Sequence, residues 1–396
     1  MIMRKFLFFA LMLFLGTSAT YAQKKQISSA KAIIKSGKNY ETAEKMMTDL
    51  LKDAKNRDND KIYVTLFEAL KKQYEQGNEK LYLKQQYDTA ALFNITKKMF
   101  LVLETLDSVD VKHSKNPNKL EFRKKHSAFL DSYRRNLFSG GGYFARKKDF
   151  RTAFSFYDMY IDCARQPLFE KYNYHETDVK NIHMAAYWSL YCGFKSQDPK
   201  LTLKYVDLAV KEESTLEYTL QFLAETYSDL KDKDKCIKVL ETGFEKYPDS
   251  PYFFTRLADY YNEELCDYAK ALDLSDKALE KDADNTLFLF ARSTALLNLG
   301  RYEECIAVSK KVLGNDNSLK DAYLNIGLSF FNLAIISSDK KDALEQYRHS
   351  MNYMEMYREM APDDIARWGS VLYNIYLNLN MGAKFDEVDR LINNNK

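Results

Sequence analysis

Small side chains recur in the C-terminal half at a spacing near 34 residues. They are Ala224, Ala258, Ser293 and Gly327, with steps of 34, 35 and 34. Four residues before each stands a large side chain: Leu220, Phe254, Leu289 and Tyr323. Three residues after each comes another: Tyr227, Tyr261, Leu296 and Phe330. Positions i, i+4 and i+7 share one face of a helix, so each set reads as an amphipathic helix. A second small series follows downstream at Cys236, Ala271, Cys305 and Ala343, which predicts a second helix in each unit. Two helices approach closely only where the facing side chains are little more than a methyl group. One such pair cannot bury its apolar face alone, so stacking of successive pairs must supply the core. With 13 Gly and 6 Pro in 396 residues, the chain also lacks the turn punctuation of a sheet protein.

Residue types at these positions resemble the tetratricopeptide repeat (TPR) family. Leu223-Ala224-x-x-Tyr227 and Leu257-Ala258-x-x-Tyr261 match that family's first helix. Gly300-Arg301-Tyr302 with Cys305 matches its turn and the small residue of its second helix. Pro248 stands at the closing position, and Tyr323, Ile326, Gly327 and Phe330 repeat the first-helix pattern. The chain departs from the pattern in three places. Arg292 takes a usually apolar position, the turn before Ala343 carries about four extra residues at 337–340, and Pro362 comes late. The late Pro extends that second helix to about Met360. The match covers 216–362 and is looser over 368–392, which reads as a capping pair. The resemblance implies an all-α fold, an α-solenoid of TPR-like antiparallel helix pairs.

The N-terminal half is helical but less regular. Leu137, Gly141, Phe144, Phe150, Ala153 and Tyr157 form one divergent unit. A second runs over about 178–213, with Asp198-Pro199 opening its second helix, since Pro suits a first turn. Tyr40-x-x-Ala43 opens a helix near residue 40, and residues 60–112 read as long amphipathic helices without the small-residue rhythm. Asn116-Pro117-Asn118 is the clearest break. The expected organisation is a leader at 1–22, an N-terminal helical region at 23–130, divergent pairs at 131–215 and the TPR array with its cap at 216–396.

The leader is read from composition. Residues 1–5 are basic, 6–15 are unbroken apolar, and Thr20-Tyr21-Ala22 offers a small-residue cleavage site. Ten apolar residues are too few to cross a hydrocarbon core of roughly 30 Å. This predicts an exported protein, periplasmic or secreted, with no membrane span after leader removal. No Cys follows the leader, so a lipoprotein anchor is not expected. Loss of Arg4 and Lys5 takes the formal charge of +3 to about +1, which argues against a nucleic-acid partner.

Reactive constellations are missing from the pattern. The five His form no H-E-x-x-H or zinc-type spacing, and His175-Glu176-Thr177-Asp178 reads as a loop whose Thr177 or Asp178 caps the next helix. Ser139-Gly140-Gly141-Gly142 lacks the phosphate-loop spacing, and Gly141 falls at a close-approach position. No nucleophile elbow occurs. Paired carboxylates such as Glu263-Glu264 point in different directions on a helix. Five widely spaced Cys give no disulfide framework, and Cys236 and Cys305 sit at packing positions. No enzyme, metal or cofactor is expected.

The resemblance implies that first helices line a concave groove. Its walls would carry Tyr218, Gln221, Glu225 and Ser228, then Tyr252, Thr255, Asp259 and Asn262, then Leu287, Phe290, Thr294 and Leu297, and last Asp321, Leu324, Leu328 and Phe331. With 29 Tyr and 25 Phe the chain has aromatics to spare for such a surface. The binding residues expected are Tyr218, Gln221, Glu225, Tyr252, Thr255, Asp259, Asn262, Phe290 and Thr294. The partner expected is another protein or peptide of the cell envelope. Two alternatives stand beside it: terminal helices packing onto the apolar part of the groove, and glycan or nutrient capture of the kind served by TPR-based outer-membrane proteins. Against the second, the chain lacks their anchoring Cys and large loop insertions.

Overall fold

The computed structural model describes residues 22–116 and 120–394. The expected leader therefore lies outside the described residues, apart from Ala22, as does the break at Pro117 and Asn118. Every regular element among the described residues is helical. Contacts divide the chain into two compact units, one through Thr226 and one from Tyr227.

The first unit opens with α1 (22–36). It continues with α2 (Tyr40–Lys52), α3 (Asp60–Tyr82), α4 (Thr89–His113), α5 (Arg123–Arg146) and α6 (Phe150–Asp162). A short α7 (Tyr174–Thr177) precedes α8 (Val179–Lys195), α9 (Pro199–Leu203), α10 (Val206–Ala209) and α11 (Leu216–Asp229), whose last turn crosses the division. Each long helix packs on the next: α2 on α3, α3 on α4, α4 on α5, α5 on α6, and α6 on α8. Helix α2 begins at Tyr40 and buries Ala43 completely. The three consecutive glycines sit inside α5, and for Gly140 and Gly141 the reason is the partner helix. A Cβ on Gly141 would lie 2.6 Å from the Tyr157 ring of α6, and one on Gly140 would lie 2.8 Å from Phe156. Helix α9 opens at Pro199 with Asp198 accepting from the Leu201 N–H, but it stops at Leu203. At this point the backbone of Thr202 lies directly against Gly193, where a Cβ would be 2.3 Å from the Thr202 nitrogen. Tyr205 then turns inward to donate to Asp158 at 2.6 Å. The second helix of this unit is therefore split between α9 and α10.

The second unit holds α12 (Lys233–Lys246), α13 (Pro251–Asp259), α14 (Tyr268–Leu279), α15 (Thr286–Asn298), α16 (Tyr302–Asn315), α17 (Lys320–Ile336), α18 (Lys340–Met360), α19 (Ile365–Asn378) and α20 (Gly382–Asn394). Consecutive helices form antiparallel pairs of the tetratricopeptide kind. Ala258 and Ser293 are buried, as are Cys236, Ala271 and Cys305 of the second series. Gly300 takes φ +74° in the turn before α16, a conformation that favours glycine. Arg292 is accommodated by pairing with Asp276 of α14 at 2.6 Å.

Two departures have local causes. The interval from Ala258 to Ala271 is one residue longer than that from Ser293 to Cys305. The extra residue is absorbed by a π turn at Tyr260–Glu264, a form usually found as a one-residue insertion in a helix. Helix α18 runs to Met360, as the late Pro362 implies, but Ala343 is only half-buried. The longer connection carries the close approach further along α18. Ser350 donates to the Gly327 carbonyl at 2.7 Å, and a Cβ on Gly327 would lie 2.5 Å from the Met354 sulfur. Beyond it Trp368, Leu372, Ile375 and Tyr376 of α19 close the core with Met354 and Tyr357.

The backbone contact at Gly193 leaves no flexible neighbour to give way. Gly193→Ala should therefore destabilise the protein by about 1–3 kcal/mol. Gly314, near the end of α16, has nothing within 4 Å of its missing Cβ. Gly314→Ala should instead stabilise by roughly 0.5–1 kcal/mol, because it removes unfolded-chain freedom. Urea unfolding of the two variants followed by circular dichroism measures both, and shifts of the same sign would contradict the packing described.

Candidate functional site

First helices of the second unit lie side by side. The Phe254 ring of α13 meets Phe288 of α15 at 4.5 Å. The Asn325 amide of α17 donates to Ser293 Oγ at 2.9 Å and Thr294 Oγ1 at 3.2 Å on α15. This places Tyr252, Thr255, Asp259 and Asn262 along α13 and its π turn, and Phe290 and Thr294 on α15. Tyr252, Asn262, Phe290 and Thr294 are half-buried, while Thr255 and Asp259 are open. Arg256 lies 5.8 Å from the Tyr252 ring centroid. The partial burial that Asp259 does have, together with Glu263, raises its carboxyl above the ordinary value, and Arg256 pulls it back. Asn262 donates to the Ala258 carbonyl at 2.9 Å, whereas its buried Oδ1 has no hydrogen-bond partner.

Toward α17 this face closes on itself. Leu324 is buried, and Leu328 and Phe331 pack against the C-terminal core. Asp321 is held by Arg367 of α19 at 2.6 Å. Of the apolar positions expected in the groove, Leu324 is therefore consumed by packing, Leu328 and Phe331 are half-buried against the C-terminal core, Phe290 is half-buried against Leu289, Val312 and Ala322, and Leu287 is exposed.

In the first unit, Tyr218, Gln221 and Glu225 share one face of α11, with Tyr218 56% exposed and the other two half-buried. Gln221 donates to Glu217 at 3.3 Å. Beside them runs an aromatic ladder that sequence reasoning left unassigned. Trp188 meets Tyr191 at 5.6 Å, Tyr191 meets Phe222 at 5.7 Å, and Phe222 meets Phe194 at 4.7 Å. The spacing of Tyr187, Tyr191 and Phe194 on α8 was the available signal.

Asp178 stands at the N-cap of α8, where its carbonyl accepts from the Ile182 N–H, but its side chain makes no capping hydrogen bond. Its carboxylate accepts from Arg134, from Tyr160 Oη at 2.6 Å and from Asn181 at 2.6 Å. The Arg134 guanidinium is sandwiched between the Tyr160 and Tyr174 rings, 3.8 and 3.9 Å from their centroids. Tyr174 donates onward to Asp131 at 2.6 Å. Burial raises both phenols, and their carboxylate acceptors raise them further. Three charged groups, Arg134, Asp178 and Asp131, and two phenols are thus linked beneath a cavity of ≈ 630 Å³, with Arg134 Nε left buried and without a partner. Arginine suits this place because its planar cation can stack and pair at once. Nearby, Glu104 of α4 has a buried Oε1 without a partner, and burial, then Asp162 of α6, push its carboxyl from 4.5 up to about 8.

Among the described residues no group of three or more His, Cys, Asp or Glu is placed to hold a metal, and no helix is long and apolar enough to cross a membrane. Cys163, Cys192, Cys236 and Cys305 are buried free thiols, and Cys266 is exposed.

No family model and no curated protein matches the chain. Similar solved structures include PilW, a widely conserved type IV pilus biogenesis factor, at 17% identity, covering 55% of this chain and 92% of PilW with a TM-score of 0.38. YrrB, a TPR protein with an unusual peptide-binding site, is 15% identical, covering 49% of this chain and 93% of YrrB, at 0.37. The TPR2AB domain of yeast Sti1 in complex with an Hsp90 peptide is 16% identical, covering 78% and 98%, at 0.26. At these identities and scores the similarity says nothing of partner or site.

The Glu104 carboxyl generates a pH prediction. Between 4.5 and about 8 the folded protein holds a proton there that the unfolded chain releases. Its contribution to stability therefore declines as pH rises through that window and is level above it. Glu104→Gln should unfold at nearly the parent temperature at pH 5 and at a higher one than the parent at pH 8.5. A difference between the two melting temperatures that does not change with pH would refute a protonated Glu104.

Proposed function

We propose that this chain is an exported, non-catalytic scaffold of the cell envelope that holds a partner protein or peptide against its first helices. The observation that carries the reading is the face of α13 and α15. It offers two half-open rings, Tyr252 and Phe290, with Thr255, Asp259, Asn262 and Thr294 between and beside them. Rigid aromatic surface flanked by hydrogen-bonding groups is the composition of a recognition patch. Tyr218, Gln221 and Glu225 extend the same role on α11. Export is supported by the basic, apolar and small-residue order of residues 1–22, which suits a periplasmic or secreted destination.

Residues 23–396 serve as bait for capture from the native cell envelope, beside Tyr252→Ala/Phe290→Ala and, separately, Tyr218→Ala. One envelope protein should be retained by the parent. Its purified form should bind the double variant at least about tenfold more weakly, with helicity unchanged. A partner held equally by all baits, or none at all, would overturn the groove reading. Recovery of the native protein in the cytoplasmic fraction would overturn export.

A further inference from the structure

The four-residue lengthening before α18 leaves apolar side chains exposed at the end of α17. Helix α17 continues to Ile336, and its last turn leaves Ile335 56% and Ile336 67% exposed. Beneath Ile336 lies a pocket of ≈ 490 Å³ between α16, α17 and α18. Its apolar wall is Ile306, Phe330, Leu333 and Ile336, and its polar rim is Glu303, Ser337, Asp342 and Gln346.

Both charged residues lining it are carboxylates. Glu303 stands in the first turn of α16 and is exposed. Hydrogen bonds from Ser337 and then Gln346 hold the Asp342 carboxyl below its ordinary value, so it is anionic at neutral pH. Gln346 donates its amide N–H to Asp342 Oδ1 at 3.0 Å, which leaves its Oε1 buried and without a partner. Lys310 lies outside the lining, 5.9 Å from the Phe330 ring centroid. The pocket thus offers apolar area and two negative charges.

We infer that this pocket is a second docking site, which takes a partner-protein segment presenting an aliphatic side chain beside a Lys or Arg. The aliphatic group would enter between Ile306, Leu333 and Ile336. The cation would meet Glu303 and Asp342. Charge complementarity selects this occupant over an acidic one, because an incoming carboxylate would face two like charges with no cation in the lining. The site is separate from the first-helix face. At 100° per residue, Phe330, Leu333 and Ile336 lie about half a turn around α17 from Leu324, Leu328 and Phe331.

The test uses a fluorescein-labelled amphipathic probe peptide, acetyl-Lys-Leu-Leu-Lys-Leu-Leu-Lys-amide, and a twin with Glu in place of each Lys. Binding to the leaderless chain is followed by fluorescence anisotropy. The basic probe should bind and the acidic twin should not. Ile336→Ser, at an exposed position, should weaken binding about tenfold. Glu303→Gln/Asp342→Asn should weaken it several-fold and flatten its dependence on salt. Tyr252→Ala/Phe290→Ala should leave it unchanged, which separates this site from the proposed groove. Failure of the probe to bind, equal binding of the acidic twin, or parent-like binding by both pocket variants with helicity intact would each overturn the inference.

Discussion

Two helices that cross with their backbones nearly touching must meet at side chains small enough to permit it, and they meet here through a different device at each crossing. At Gly141 the space a Cβ would fill is taken by the Tyr157 ring. At Gly193 it is taken by backbone, and at Gly327 by Met354. At Cys305 a thiol serves, buried and within 3.8 Å of both Ser309 Oγ and the Asn325 carbonyl. Removing the side chain from one helix lets a large one from its neighbour fill the gap, so close packing and deep burial are achieved together. The long helices, the buried aromatic rings and the polar outer faces all follow from those crossings.

Within the first unit a second constraint operates. Arg134 is a full charge with a side chain only 6% exposed. Such a group is tolerated only when its desolvation is offset by pairing and hydrogen bonding. Asp178, the Tyr160 carbonyl and two tyrosine rings meet most of that demand, leaving only Nε without a hydrogen bond, and Asp131 extends the network through Tyr174. The network joins α5, α6, the short α7 and the start of α8, a stretch where the small-residue rhythm is interrupted. A polar centre holds those elements in one arrangement where regular repeat packing does not. Glu104 shows the converse, a carboxyl buried without a cation that keeps its proton instead.

Two irregularities in the repeat each carry a buried acceptor without a partner. The one-residue insertion after Ala258 becomes a π turn, and the orphan acceptor of Asn262 lies on it. The longer insertion before α18 exposes Ile335 and Ile336, and the orphan acceptor of Gln346 lines the resulting pocket. Departures from periodicity are where a repeat protein acquires individual chemistry.

Helical class, pairing order and most crossing points could be read in the chain, because they depend on local periodicity and on residue size at fixed intervals. Ala224, Ala258, Ser293 and Gly327 announced the first helices, and Met360 ended α18 where the late Pro362 implied. The candidate face was legible as positions on a wheel, since Tyr252 and Phe290 keep their place once the helix is known. Tertiary structure alone decided which of those positions stay open. Leu324 reads like Phe290 in sequence but is buried, whereas Leu328 and Phe331 stay half-buried against the C-terminal core as Phe290 does against Leu289, Val312 and Ala322. Asp178 read as a cap, yet Arg134, 44 positions earlier, claims its carboxylate. Displacement of the α18 crossing to Ser350 and Met354 was equally hidden. Sequence pattern reports what a helix offers on each face, whereas burial, ion pairing and orphaned polar groups depend on what distant segments bring against it.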